Sequence, residues 1–396
     1  MEPDSGVLVA LCWIVAVLAI IGSVVLGVQL TKRNPLTFVI RLVAQVLTCA
    51  LTVLAVAATL NAQNDWYADW ADMGNDLVGG GLPAGTVQQA GVAVRPFNAA
   101  QETATNRSAQ NRYGIERSAE QISLRLQADP GQGGQEVTVQ IPGRGDGAVG
   151  EVKVWLPQAY TDPNQQNRTF PVIEAFQGTP GNDTSWFKVA HLGQTIGQLA
   201  AEHELNQAIV VSPEVTPGGI DTECVNAGGR YQMETWLTQE IPRWIVQHFR
   251  ASADRNGWAT IGYSAGAWCA IMTATLHPKT YGASIVLGGY FEPLFGSWRP
   301  FKKTPEKYFV LKTAERDAPA ISVWVEVSGK DGLSGPPSRN FVKNARPPMA
   351  VTSVTYPDAA HRFSVWMAAY PHALLWLSHA LPQFAPNSVD AVVSSP

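Results

Sequence analysis

Two aliphatic runs near the start of this 396-residue chain constrain its fold more than any other feature. Residues 7–30 are almost purely apolar, and at about 1.5 Å of rise per residue a helix of that length crosses a hydrocarbon core of roughly 30 Å. Residues 36–60 have similar reach, with Arg41 close enough to one end to snorkel toward the interface. Lys32, Arg33 and Pro35 separate the runs, and the positive-inside bias puts this short loop in the cytoplasm. Trp66, Tyr67 and Trp70 follow the second run as interfacial anchors. The expectation is a transmembrane hairpin over 1–62 that leaves the remaining chain on the extracytoplasmic side of a bacterial cell membrane. Cleavage after the second run, near Leu60-Asn61-Ala62-Gln63, is the alternative; it would equally export the rest.

Composition agrees with a chain partly in lipid. Only 15% of residues are charged and 46% are hydrophobic. The formal net charge of −4 argues against a nucleic-acid binder. Residues 63–115, rich in Gly, Ala, Gln, Asn and Thr, read as an extracytoplasmic tether. From 116 to 382, short β-rich runs alternate with amphipathic stretches, and several of the strands are apolar on both faces. That pattern predicts an α/β fold, a mostly parallel sheet flanked by helices and entered through an antiparallel hairpin. Residues 383–396 read as a tail. Arg144-Gly145-Asp146 lies in a Gly-rich hairpin turn, which explains it more simply than adhesion does. The glycines there open no helix and so make no dinucleotide loop. No pair of cysteines has the spacing of a zinc site, and neither a metal nor a cofactor is expected.

Gly262-Tyr263-Ser264-Ala265-Gly266 is a G-x-S-x-G between a strand-like W-A-T-I-G-Y and a helix-like A-G-A-W-C-A-I-M. A strand, sharp turn and helix thrust a serine hydroxyl above the sheet, near the positive end of the helix. Such a hydroxyl needs a base. Of the seven histidines, His361 alone sits in a loop between a late strand and a helix. A carboxylate must hold its imidazole, and chain order confines it to 264–361. Asp331, directly after the strand I-S-V-W-V-E-V, is the choice over Asp317, Glu326 and Asp358. Backbone donors for a developing oxyanion are expected at Ala265 and in the loop Gln177-Gly178-Thr179-Pro180-Gly181, with Thr179 preferred and Gly178 second. Trp186, Tyr290, Phe291 and Trp298 follow strand ends on the same side and are candidates for a substrate groove. Cys224 and Cys269 are candidates for a disulfide in an exported domain, while Cys12 and Cys49 fall in the apolar runs.

The ordered set E-V-K-V-W-L-P-Q-A-Y, P-V-I-E-A-F-Q-G, G-Y-S-A-G and A-A-H-R-F-S-V-W resembles the "Putative esterase" family, which includes esterase D-like enzymes and secreted mycolyltransferases. The likeness covers about 116–382. It implies an α/β-hydrolase fold and serine acyl transfer without a metal, with Ser264 as nucleophile, Asp331 as acid and His361 as base. Two departures stand out: many esterases carry His-Gly where this chain has Gln177-Gly178, and the acid in mycolyltransferases is usually glutamate. The expected function is hydrolysis of an envelope lipid or glycolipid ester through an acyl-enzyme. Transfer of the acyl group to a sugar hydroxyl is one alternative. A non-catalytic adhesion or scaffold module that has kept the fold is the other.

Overall fold

The computed structural model describes residues 2–3, 5–30, 34–64, 66–67, 70–77, 86–90, 133–145, 150–228, 231–296 and 298–386. Lys32, Arg33, Asp146, most of the expected tether and residues 387–396 of the expected tail lie outside the described residues.

The two apolar runs form α1 (Gly6–Gln29) and α2 (Pro35–Asn64). Both are long and apolar enough to cross a membrane. They pack as an antiparallel pair, because contacts step backwards along α2 as they step forwards along α1. The Trp13 indole donates to Thr59 Oγ1 (2.9 Å), and the Thr48 hydroxyl reaches Ala19 O (3.3 Å). Arg41 does more than snorkel. Its guanidinium donates to the carbonyls of Gly27 (3.2 Å) and Leu30, which are among the orphan acceptors at the end of α1.

The expected tether is not featureless. A short helix, α3 (Trp70–Leu77), follows the hairpin, and β1 (Thr86–Ala90) pairs antiparallel with the far edge of the main sheet. The other strands of that sheet are β2 (Gly134–Ile141), β3 (Gly150–Pro157), β4 (Val172–Phe176), β5 (Ile209–Pro213), β8 (Trp258–Tyr263), β9 (Ala283–Leu287), β10 (Ser322–Ser328) and β11 (Ala350–Tyr356); β6 (Asn226–Ala227) and β7 (Tyr231–Gln232) form a separate ribbon. The order across the sheet is β1-β11-β10-β9-β8-β4-β5-β3-β2. From β11 to β5 all pairings are parallel, and β3 and β2 close that edge antiparallel.

Strands β4, β5, β8 and β9 are buried at every position, as strands covered on both faces must be. One face packs under helices Leu192–Ala201 and Phe363–Ala380, the other under Ile241–His248, Ala265–Leu276, Val310–Arg316 and Gly335–Asn344. This mostly parallel sheet, covered by helices on both faces, is an α/β-hydrolase architecture. Its consequence for function is geometric. The loops after β4, β8, β10 and β11 all leave the carboxyl ends of parallel strands, so their residues meet along one rim of the sheet.

Candidate active site

Ser264 occupies the turn between β8 and the helix Ala265–Leu276, with φ 55° and ψ −123°. A non-glycine residue in that region costs on the order of 1–3 kcal/mol. The turn is held by Ser264 N–H donating to Leu287 O (2.9 Å) and Ala267 N–H donating to Ser264 O (2.9 Å). The flanking glycines are required by contact. A Cβ on Gly262 would stand 2.0 Å from Gly266 O, and one on Gly266 would stand 2.2 Å from Phe176 O. The spacing G-x-S-x-G therefore records two places where backbone meets backbone, one of them against the end of β4.

The Ser264 hydroxyl lies 2.9 Å from His361 Nε2, and His361 Nδ1 lies 2.7 Å from Asp331 Oδ2. His361 and Asp331 are 4% and 1% exposed, so water competes weakly for this chain of bonds. Asp331 also accepts from the Leu333 and Ser334 amides, both at 2.8 Å, and from the Ser334 hydroxyl. Burial alone would raise its carboxyl; the hydrogen bond and charge of His361, together with Ser334, more than offset this, and the group lies below the ordinary carboxylate value. Asp331 therefore stays ionised and faces the nitrogen that must carry a proton when Nε2 acts as acceptor. Glu326, the nearby carboxyl, sits inside β10 and is fully buried. It accepts from the Ser328 hydroxyl (2.7 Å) and Gly288 N–H (2.9 Å). Burial, opposed by the Ser328 bond and reinforced by the Asp331 charge, pushes Glu326 up to about 8. Asp358 is engaged by Lys330 at 3.1 Å.

Ala265, Gly178 and Thr179 line the same cleft as Ser264 and His361. Gly178 lies against Tyr263, where a Cβ would come within 2.8 Å of the ring. The Thr179 hydroxyl is tied to Asp221 Oδ2 at 2.8 Å, which fixes the loop from its outer side.

Of the four aromatic residues expected in a groove, the structure brings only Tyr290 to the cleft. Trp186 is fully buried between Tyr263 (5.3 Å between ring centroids) and Tyr370 (6.0 Å). Phe291 stacks on Phe341 at 4.2 Å, and Trp298 packs edge-on to Tyr231 at 5.9 Å. Trp186 and Phe291 are core residues, and Trp298 is partly buried against the core. The groove is walled instead by residues that sequence spacing does not single out: Asp221 and Glu223 on one segment, Leu294 and Leu333 on two others, Arg362, Phe363 and Trp366 beside His361, and Gln63, Trp66 and Tyr67 from the end of α2. Together they enclose about 680 Å³. The aromatic cluster just after α2 was the one available signal for the last group.

Glu223 is the unusual member. It is 3% exposed and accepts from the Tyr290 hydroxyl at 3.1 and 3.2 Å. Burial, then the neighbouring Asp221 charge, push it up to about 8, so it is largely protonated at neutral pH. Glu223 and Cys224 both have positive φ, 48° and 53°, an uncommon conformation for side-chain-bearing residues. Two links to the post-serine helix hold it: the Trp268 indole donates to Glu223 O (2.9 Å), and Cys224 is disulfide-bonded to Cys269. Among the described residues no cluster of three or more His, Cys, Asp or Glu has the arrangement of a metal site.

Chemically, the arrangement offers a hydroxyl hydrogen-bonded to an imidazole, a fixed anion behind that imidazole, a helix amino terminus beside the hydroxyl, and a cleft mixing apolar walls with one acidic corner. Known proteins share this fold. A protein of Corynebacterium glutamicum described as uncharacterized is 27% identical over 247 residues, which is 57% of this chain and 56% of that protein; the chain thus spans little more than half of that relative's length. A ferulic acid esterase structure is similar over 63% of this chain and 98% of its own, with a TM-score of 0.51 and 16% identity. The S-formylglutathione hydrolase of Agrobacterium tumefaciens is similar over 65% and 99%, with a TM-score of 0.51 and 17% identity. At such identities the likeness is one of fold. A family model described as "Putative esterase" matches residues 149–377, more than half of the chain and the whole span from β3 through Ser264, Asp331 and His361. This chain therefore belongs to that esterase family and has its α/β-hydrolase fold.

Proposed function

We propose that the protein is a membrane-anchored serine esterase whose catalytic domain lies on the extracytoplasmic side and whose substrate is an acyl ester of an envelope lipid or glycolipid. The observation that carries the chemistry is the continuous hydrogen-bonded chain from Ser264 Oγ through His361 to Asp331. Ser264 Oγ attacks the ester carbonyl as its proton passes to His361 Nε2, and the resulting imidazolium is stabilised by Asp331. The carbonyl electron pair moves onto oxygen, where the N–H groups of Ala265 and Thr179 receive it; one such donor contributes roughly 3–4 kcal/mol in comparable hydrolases. Collapse breaks the bond to the alcohol, which leaves with the proton from Nε2. A water or a substrate hydroxyl, deprotonated by the same nitrogen, then attacks the acyl-enzyme and frees Ser264. Hydrolysis and acyl transfer differ only in which acceptor enters at this last step.

The membrane and sidedness parts of the reading rest on other features. α1 and α2 are long and apolar enough to span, the intervening Lys32 and Arg33 favour a cytoplasmic loop, and the Cys224–Cys269 disulfide suits an oxidising compartment. The reading is tested with a fluorophosphonate probe on the full-length protein. Wild type is expected to label, Ser264→Ala to remain unlabelled, and absence of labelling in folded wild type would refute the nucleophile. Product analysis with short and long acyl esters, with and without a sugar acceptor, separates hydrolase from transferase.

A further inference from the structure

Large apolar side chains are scarce on the surface of the described catalytic domain. Between residues 133 and 386 three are exposed: Val189 (59%), Leu294 (45%) and Leu333 (40%). They come from three unconnected segments, yet all three line the cleft that contains Ser264. A scattered exposed leucine needs no explanation, but a set gathered at one opening does. The same opening is walled by Gln63, Trp66 and Tyr67, so the chain leaving α2 is itself part of the cleft. Gln63 lies three residues beyond Leu60, where the apolar run ends, and at about 1.5 Å per residue that is about 4.5 Å along the helix axis. Trp66 is 37% exposed at this opening. Asn61 clamps the strap behind it, donating to Tyr67 O and accepting from Tyr67 N–H, both at 2.9 Å. From the other side, the Arg362 guanidinium lies 5.2 Å from the centre of the Tyr67 ring, next to His361 in sequence.

We infer that the mouth of the cleft is a bilayer-docking surface: Val189, Leu294, Leu333 and Trp66 rest on the leaflet that α2 leaves, and the ester substrate passes to Ser264 sideways out of that leaflet. The occupant follows from continuity. A spanning α2 ends within one helical turn of the cleft wall, so the headgroup layer is the surface that the apolar rim meets. An acyl chain entering here trades lipid for the apolar rim without crossing water, which removes the largest cost of lifting a lipid from a membrane. The hairpin is then a wall of the substrate site as well as an anchor. This inference rests on the esterase reading above, and the experiment keeps the two apart.

Full-length protein is reconstituted in phosphatidylcholine vesicles. It is assayed with p-nitrophenyl butyrate in solution and with 4-methylumbelliferyl palmitate dissolved in the bilayer, and the ratio of the two rates is taken for each variant. Leu294→Asp and Leu333→Asp are expected to lower the palmitate-to-butyrate ratio at least tenfold, and Leu294→Met to keep it within twofold of wild type. A ratio that Asp leaves unchanged overturns the docking surface; a wild type that cleaves neither ester overturns the esterase reading instead. A second measurement does not depend on turnover. Leu294→Cys, in a background carrying Cys12→Ala and Cys49→Ala, is labelled with a nitroxide in the same vesicles. The label is expected to collide readily with dissolved oxygen and poorly with a water-soluble nickel chelate. Free access by nickel overturns the proposal, and shielding from both reagents assigns the rim to a protein partner or second copy and overturns it equally.

Discussion

The floor of the cleft and its mouth are built to different standards. On the floor, Ser264, His361 and Asp331 are joined by bonds of 2.9 and 2.7 Å, and two glycines bring backbone within contact of backbone beneath them. At the mouth, exposed apolar side chains from separate segments, including the chain that leaves α2, stand beside an acidic corner. A hydrogen bond loses most of its worth over a fraction of an ångström or a few tens of degrees, whereas apolar contact degrades in proportion to area. Substitutions on the floor should therefore abolish turnover, and substitutions at the mouth should grade substrate preference.

The largest effect is expected from Asp331→Asn. The amide keeps the shape but presents the wrong hydrogen-bonding partner to His361 Nδ1, and kcat should fall by about 10⁴, measured on a short soluble ester with the fold checked by circular dichroism. A loss under tenfold would mean that the imidazole is oriented by something else. Gly178→Ala comes next. Its Cβ would stand 2.8 Å from the Tyr263 ring and 3.0 Å from Tyr263 O, so the loop carrying Thr179 must move. With one oxyanion donor displaced, kcat should drop by about 10²–10³ while KM changes little.

The disulfide lies between floor and mouth, since it ties the Glu223 segment to the helix that begins beside Ser264. Cys269→Ala should lower stability by about 2–4 kcal/mol, read from denaturant melts of the protein against the same melt of reduced wild type. If both melts coincide with that of oxidised wild type, the crosslink contributes nothing. Above pH 8 the acidic corner should also separate wall from floor. Glu223, raised to about 8 mainly by burial, is neutral below that pH and anionic above it. An ester with an anionic alcohol should show KM rising roughly fivefold across this range, from about 1 kcal/mol of added repulsion, while a neutral ester shows none of this rise. Glu223→Gln should flatten the difference; a rise that persists in the variant would show that Glu223 is not its source.

How much of this was legible in the chain follows the same division. Ser264, Asp331 and His361 each stand just past the end of a strand in a parallel sheet, and parallel strands that alternate with helices send those ends to one rim. Local pattern was enough to bring all three to hydrogen-bonding distance. Phe291 and Trp298 also follow a strand end, yet their rings turn into the core against Phe341 and Tyr231. Nothing in strand position tells which way an aromatic ring on a loop will turn. Glu223 reads as one more loop carboxyl until Tyr290, 67 residues away, closes over it. The strap was read as tether and anchor because its contacts with Arg362 and the cleft are long-range, and composition carries no information about them. The same holds for β1, whose five residues pair with the last strand of the sheet.

The smallest effect belongs to the strap, and it bears most directly on whether floor and mouth are separable. Arg362 is next to His361 but touches Tyr67, so it could act on either region. A cation over an aromatic ring contributes about 0.5–1 kcal/mol where solvent reaches it, and Arg362 is only 7% exposed, which favours the upper part of that range. If the contact serves only to hold the strap, Tyr67→Ala should raise KM for a bilayer-embedded ester about two- to fivefold and leave kcat for a short soluble ester unaltered. Tyr67→Phe keeps the ring face and should behave as wild type in both assays. A fall in kcat on the short ester would instead show that the strap, acting through Arg362, sets the position of His361, and the division between a rigid floor and a graded mouth would fail at the one place where they are joined by adjacent residues.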